Sequence, residues 1–288
     1  MQTALENLKL VLTSPRERAK GTIVSYLQTA KVFLEFLGDG RQPDDKDFRR
    51  YFVHRREKDI SERTLTKEFI QLKKLADANN WPWPFTSDDR PVAEEEPFAP
   101  AFTPEEIETL IKAREEYSKG ELFYVAVSTT WGLRREEMVR IRKRDYTEVS
   151  IKIKTAKHGR RVEHIIPDEI NPILQNYRPK LNNINSLSYL FYRVLNKAGI
   201  ERRKGYGWHS VRRTLRTILE WNLAENRLPL SLVADYMGWS RTQKGIVYGG
   251  APMLGVYSHP EIMSADPFAI DRLVLGVHPF LKHWVVKD

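Results

Sequence analysis

Residues 129–166 read TTWGLRREEMVRIRKRDYTEVSIKIKTAKHGRRVEHII, and the order of patterns in this stretch decides the class of the second half of the chain. It follows an apolar helical run from Glu121 to Thr129 and opens with a turn at Trp131 and Gly132. Strict alternation over Ser150 to Lys154 and again over Val162 to Ile166, on either side of His158 and Gly159, predicts a β-hairpin. Beyond it, helical spacing returns from Ser186 to Ala198, is stopped by Gly199, and resumes after His209. A mainly helical domain carrying one small antiparallel hairpin is expected.

Working back toward the N-terminus, Thr103, Pro104, Glu105 and Glu106 form a helix start with a capping Thr, a Pro at the first helical position and a Glu at the third. Before that start, residues 81–100 (WPWPFTSDDRPVAEEEPFAP) hold five prolines and an acidic run without helical or strand period, the signature of a linker. Upstream of the linker, Ile23, Tyr26, Leu27, Ala30, Phe33, Leu34 and Leu37 recur at helical spacing and are ended by Gly38, Asp39 and Gly40. A shorter helix over Asp47 to Arg56 carries Arg49, Arg50, Arg55 and Arg56. Another runs through Leu65, Phe69, Leu72 and Ala76, with Ser61 as N-cap and Asn79, Asn80 at its end. The expected division is a helical domain over 1–85, a linker over 86–100 and a second domain over 101–288.

Composition narrows the function class. The chain has 288 residues, 41% hydrophobic and 30% charged, which is globular material of about two-domain size. The longest apolar runs, such as Leu122 to Val127, fall well below the ~18 residues of a membrane span, and the N-terminus lacks a secretory signal pattern, so a cytoplasmic protein without membrane attachment is expected. With no cysteine there is no disulfide, no thiol nucleophile and no Cys-based zinc site. The net charge of +9 lies entirely in residues 100–288, because residues 1–99 hold 17 basic and 17 acidic side chains. A basic half on such a protein points to a polyanionic partner, with nucleic acid the commonest.

Four clusters in the second half bear chemistry: GLRREE at 132–137, TAKHGRR at 155–161, HSVRR at 209–213 and VYSHP at 256–260. Taken singly, each has a bland explanation as a surface ion pair, a solvated lysine or a structural histidine. Taken in order, with the helical first domain and the linker, they resemble the tyrosine recombinase (phage integrase) family over nearly the whole chain. The matching residues are Arg134 and Glu137 in the GLR turn, Lys157 in the hairpin, His209 and Arg212 in His-x-x-Arg, Gly238 with Trp239, and a C-terminal tyrosine.

The resemblance implies a SAM-like N-terminal DNA-binding domain and a catalytic domain that cuts and rejoins double-stranded DNA through a 3′-phosphotyrosyl intermediate and a Holliday junction. It also implies no metal ion or cofactor and a homotetramer assembled on DNA. In such a site Arg134 and Arg212 bind the non-bridging phosphate oxygens through bidentate forks. Lys157 protonates the leaving 5′ oxygen, and His209 takes or shares the phenol proton. Trp239, whose indole only donates, hydrogen-bonds the phosphate. Glu137 holds the GLR turn together.

The nucleophile has two candidates. Tyr257 sits in letters close to the family's Tyr-x-His-Pro, eighteen residues after Trp239, whereas Tyr248 lies at the commoner interval of nine. Tyr257 is favoured, with Gly245 to Gly255 read as an inserted loop. Arg49, Arg50, Arg55 and Arg56 are the expected phosphate contacts of the first domain. Phe268, Leu273, Phe280 and Trp284 either pack in the core or dock a C-terminal helix on a neighbouring subunit. A type IB topoisomerase and a non-catalytic DNA-binding protein of the same fold are the alternative functions.

Overall fold

The computed structural model describes residues 2–15, 18–38, 40–92, 100–156, 161–238 and 266–285. The chain divides into two compact units, residues 1–98 and 99–288.

Among the described residues the first unit is a bundle of four helices: α1 (Gln2–Thr13), α2 (Lys20–Leu37), α3 (Asp45–Glu57) and α4 (Glu62–Asn79). Helix α1 was not anticipated, although Ala4, Leu8 and Leu12 stand four apart and are all buried. The other three lie where the periodicity placed them. Asp44 caps α3 in a reciprocal box with Asp47, Ser61 caps α4, and Asn80 ends α4 in the left-handed conformation at φ 55°. The core is aromatic, with Phe33 stacked on Phe48 at 4.8 Å and Tyr51 edge-on to Phe33.

The proline-rich stretch begins as part of this core. Trp83 and Phe85 pack against Phe48, Phe52 and Phe69. From residue 86, where a linker was expected, the chain stays anchored as far as Pro91. Thr66 donates to the Pro91 carbonyl at 2.6 Å, and Asp89 closes a turn on Thr86. Prolines prevent a helix or strand here, but they leave the aromatic side chains between them free to pack.

In the second unit, α5 (Pro104–Lys112) starts at the Thr103–Glu106 capping box. Helix α6 (Lys119–Trp131) is buried on nearly every side from Phe123 to Trp131, as its all-round apolar sequence requires of a central helix. Gly132 ends it at φ 57°, where a Cβ would also press on Met237 and Leu215. Then come α7 (Arg135–Arg140) and the antiparallel hairpin of β1 (Ser150–Lys154) and β2 (Arg161–Ile165), in register Ser150↔Ile165 to Lys154↔Arg161. Helices α8 (Asn171–Gln175), α9 (Ile184–Lys197), α10 (Trp208–Glu225), α11 (Ser231–Tyr236) and α12 (Ala269–Gly276) complete the described α-helices. Among the described residues the fold is mainly helical with one small antiparallel sheet, as expected.

The C-terminal end belongs to this unit's own core. Phe280 and Trp284 are buried in it, and Arg114 donates to the carbonyls of His283 and Trp284. Asp271 of α12 accepts from the Ile165 amide at 2.6 Å and meets His164 Nδ1 at 3.0 Å. Between the two readings of the aromatic end, core packing therefore holds for Phe280 and Trp284. Leu273 remains 44% exposed and Phe268 half-buried.

His278 sets a pH limit on this packing. Its Nε2–H donates to the Thr130 carbonyl at 2.9 Å and its Nδ1 accepts from the Phe280 amide, so the ring is held neutral. Burial pushes its pKa from the model-peptide value near 6.5 down to about 4. The unfolded chain therefore binds this proton first, and stability present above pH ~6.5 is lost as pH falls toward ~4, by up to about 3 kcal/mol. Urea unfolding between those pH values is expected to show this loss, and His278→Gln is expected to remove most of it.

Candidate active site

The site grows from the end of α6. Because Gly132 turns the chain sharply, Arg134 becomes the N-cap residue of α7 and Glu137 falls one turn along that helix. Glu137 is 2% exposed, and its carboxylate accepts three N–H groups. Oε2 takes the Arg134 amide at 2.7 Å, while Oε1 takes Arg134 Nη1 at 2.8 Å and the Ala156 amide at 2.9 Å. A buried carboxylate is stable only with such a set of donors. The third donor lies two residues beyond β1, next to Lys157 in sequence, so one side chain ties the arginine turn to the chain that leaves the first strand of the hairpin.

Helix α10 supplies the second arm. Trp208 anchors its first turn, donating from Nε1 to the Leu187 carbonyl at 2.9 Å. Arg212 stands one turn later and is buried; it donates to the Gly132 carbonyl and, at 3.4 Å, to the Met237 carbonyl. It thus joins the turn that carries Arg134 to the end of α11. His209 lies on the same face of α10 as Arg212, three residues before it, with an exposed ring. Partial desolvation holds the His209 pKa below its usual value, and the charges of Arg212, Arg213, Arg134 and Arg135 lower it further. The imidazole is therefore neutral near pH 7 and able to accept a proton.

Arg134 uses Nη1 on Glu137, and its side chain is 16% exposed. Among the described residues its other guanidinium N–H groups have no partner, so a fork is left for an anion. Gly238 adds a third junction. Its φ is 63°, and a Cβ there would overlap Thr155 and press on Val162, so the residue before Trp239 lies directly against β2 and the residue that follows β1.

The structure therefore brings Arg134, Glu137, His209 and Arg212 together. Lys157, Trp239, Tyr248 and Tyr257 lie outside the described residues, although the residues flanking Lys157 and Trp239, Ala156 and Gly238, are both fixed at the site. Among the described residues no three His, Asp or Glu side chains gather as metal ligands.

The arginines of α3, the expected phosphate contacts of the first domain, each have a partner within the chain, while the side chains of Arg50 and Arg56 remain 64% and 51% exposed. Arg55 is paired with Glu68, itself 5% exposed, and Arg50 with Asp47. Arg56 pairs with Glu62, and Arg49 donates to the Pro84 carbonyl and covers the Phe85 ring at 5.1 Å. Four arginines close in sequence read as a basic stripe, but the acidic partners come from α4 and from α3 itself. Sequence reading missed the Glu137–Ala156 link, for which no local signal exists. It also gave no role to the basic run Arg140 to Arg144, whose letters were visible.

Residues 5–79 match the family described as phage integrase, N-terminal SAM-like domain. Among curated protein sequences none matches the chain. Among solved structures, a lambda integrase dimer bound to a COC′ core site is similar at 13% identity, with a TM-score of 0.63 over 85% of this chain and 75% of that one. A lambda integrase tetramer bound to a Holliday junction is similar at 14% identity and TM-score 0.63, over the same shares of the two chains. The Tn1549 transposon integrase in complex with transposon right end DNA is similar at 14% identity and TM-score 0.57, over 89% of this chain and 95% of that one. The resemblance to tyrosine recombinases is thereby borne out in the family of the first domain and in the fold.

Two substitutions test the junctions. Glu137→Ala strips a buried partner from three N–H groups and is expected to lower the second unit's stability by about 2–4 kcal/mol in urea, with faster amide exchange at Ala156. Gly238→Ala combines a left-handed backbone with an overlap and is expected to cost about 1–3 kcal/mol by the same measurement.

Proposed function

We propose that this chain, whose first domain is of the phage integrase SAM-like type and whose fold is that of lambda integrase, is a site-specific DNA recombinase of the tyrosine type. The observation that carries this reading is the gathering of Arg134, His209 and Arg212 from two separate helices around one glycine turn. Two guanidinium groups and a neutral imidazole suit attack on a phosphodiester, which builds negative charge on the non-bridging oxygens. A surface used only to bind DNA needs positive charge but no neutral base beside it.

In the proposed reaction a tyrosine oxygen attacks phosphorus while its proton passes to His209. The bond to the 5′ oxygen breaks, and Lys157 supplies the proton that this oxygen takes up. The product is a 3′-phosphotyrosyl link, whose retained bond energy lets a 5′ hydroxyl from a second duplex reverse the step. Arg134 and Arg212 grip the phosphate throughout, and Trp239 donates an indole N–H to it. Tyr257 is the proposed nucleophile and Tyr248 its alternative. The proposal includes assembly as a homotetramer on DNA and passage through a Holliday junction, in line with the states in which lambda integrase is found.

The test is a nicked duplex bearing the protein's attachment region, incubated without metal or ATP. A covalent adduct lost only in Tyr257→Phe is expected, whereas loss only in Tyr248→Phe moves the nucleophile. Tight binding without any wild-type adduct would overturn the enzymatic reading. Arg134→Lys keeps the charge but loses the fork, and is expected to slow adduct formation by about 10²-fold or more. The adduct rate is expected to rise with pH through the lowered pKa of His209, because only the neutral ring accepts the phenol proton. In His209→Gln that acid limb should be absent.

A further inference from the structure

In an uninterrupted α-helix the amide of residue 134 would donate to the carbonyl of Thr130, four residues earlier. Here it does not. Gly132 takes the left-handed conformation, and the Arg134 amide donates instead to Glu137 Oε2 at 2.7 Å. The Thr130 carbonyl, at the buried end of α6, is thereby left without its helical donor. Two side chains take that place. Tyr236, the last residue of α11, donates its hydroxyl at 2.8 Å, and His278, two residues beyond α12, donates Nε2–H at 2.9 Å.

Both donors are committed to this carbonyl. Tyr236 is 1% exposed and His278 8%, so neither polar atom has water as an alternative partner. Burial, with the nearby Asp271 carboxylate adding to it, holds the Tyr236 phenol far above its usual pKa, so the hydroxyl keeps its proton. The Phe280 amide donates to His278 Nδ1 at 3.2 Å, which leaves the ring proton on Nε2. Each donor is also tied to a second part of the site. Two residues after Tyr236, Gly238 lies against Thr155 and Val162. One residue before His278, the Val277 carbonyl accepts from Asn222 of α10 at 2.8 Å. The Thr130 carbonyl is therefore the point at which α6, α11 and the C-terminal segment meet, four residues before Arg134.

We propose that Tyr236 and His278 are positioning residues for strand cleavage, which by occupying the Thr130 carbonyl keep the Arg134 amide on Glu137 and so fix the aim of the Arg134 guanidinium. The inference rests on the recombinase reading, in which that guanidinium grips the phosphate. Neither side chain touches a reacting atom. With both donors removed the carbonyl is buried and unpaired, and the donor that helix geometry offers it is the Arg134 amide. Drawing that amide back toward α6 breaks its contact with Glu137 and turns the arginine out of line. A misplacement of about 1 Å is enough to slow a reaction by about 10²-fold.

The experiment measures the rate of adduct formation by the full chain at saturating nicked duplex, together with DNA affinity. Tyr236→Phe keeps the ring and removes only the hydroxyl, and is expected to slow the adduct by about tenfold. Tyr236→Phe with His278→Leu is expected to slow it by about 10²-fold, with the dissociation constant for DNA changed by less than about twofold. His278→Gln retains an N–H near the position of Nε2 and is expected to stay within about threefold of wild type, where His278→Leu does not. Amide exchange at Arg134 should be faster in the double variant. A cycle with Arg134→Lys identifies the route, because an effect carried by the arginine largely disappears once the arginine is gone. An unchanged rate in the double variant overturns the proposal, as does the same fold loss in the Arg134→Lys background. A fall in rate matched by a fall in DNA affinity marks a general loss of structure and also overturns it. A wild-type adduct with unaffected variants removes the positioning role and leaves the recombinase reading standing, whereas absence of any wild-type adduct overturns both.

Discussion

The carboxylate of Glu137 is the constraint on which the site depends. Buried among apolar side chains, it is tolerable only while three N–H groups donate to it, and those donors come from the arginine turn and from the chain just beyond β1. Arg212 secures the same turn from the other side through the Gly132 carbonyl. Gly238 presses the end of α11 against the hairpin at Thr155 and Val162. Turn, hairpin, α10 and α11 are thus held by contacts that meet within a few residues of one another. That density of cross-links is what a preorganised electrostatic site requires, since donors that had to be aligned during reaction would lose most of their effect.

The same logic of satisfied charge separates the two halves of the chain. In the first unit the arginines of α3 are mostly spent on the chain's own carboxylates, and a buried network of Glu68 with Tyr51 and Arg55 stiffens the aromatic core. Burial and the Glu68 carboxylate raise the Tyr51 pKa well above its usual value, so that phenol stays a hydrogen-bond donor. In the second unit the carboxylates near the hairpin are absorbed by backbone amides and local partners, and cations are left over. Net charge per half, which the composition displays, therefore understates how differently the two halves present charge.

The C-terminal part of the second unit is latched to the hairpin by Asp271. That carboxylate takes the Ile165 amide and His164, whose ring lies between Trp131 and Tyr236 at 6.0 and 5.0 Å. In sequence, the stretch that holds Trp239, Tyr248 and Tyr257 runs from Gly238, fixed on one part of the hairpin, to α12, fixed on another. Both ends of that stretch are therefore tied to the element that also bears Lys157.

The helices α2, α3, α4 and α5 and the hairpin were legible in the sequence because their causes are local. Caps such as Ser61 and Thr103, the spacing of Phe33 or Leu72, and the alternation over Ser150 to Lys154 act within a few residues. The cluster order around Arg134, His209 and Arg212 was legible too, as a pattern of letters. What those letters touch was decided only by the tertiary structure. Glu137 meets the Ala156 amide across nineteen positions, and Asp271 meets the Ile165 amide across 106. The burial of Arg55 on Glu68 and the packing of Trp83 and Phe85 are of the same kind. Each depends on which distant group arrives to satisfy a charge or cover a ring, and local spacing along the chain carries no record of that partner.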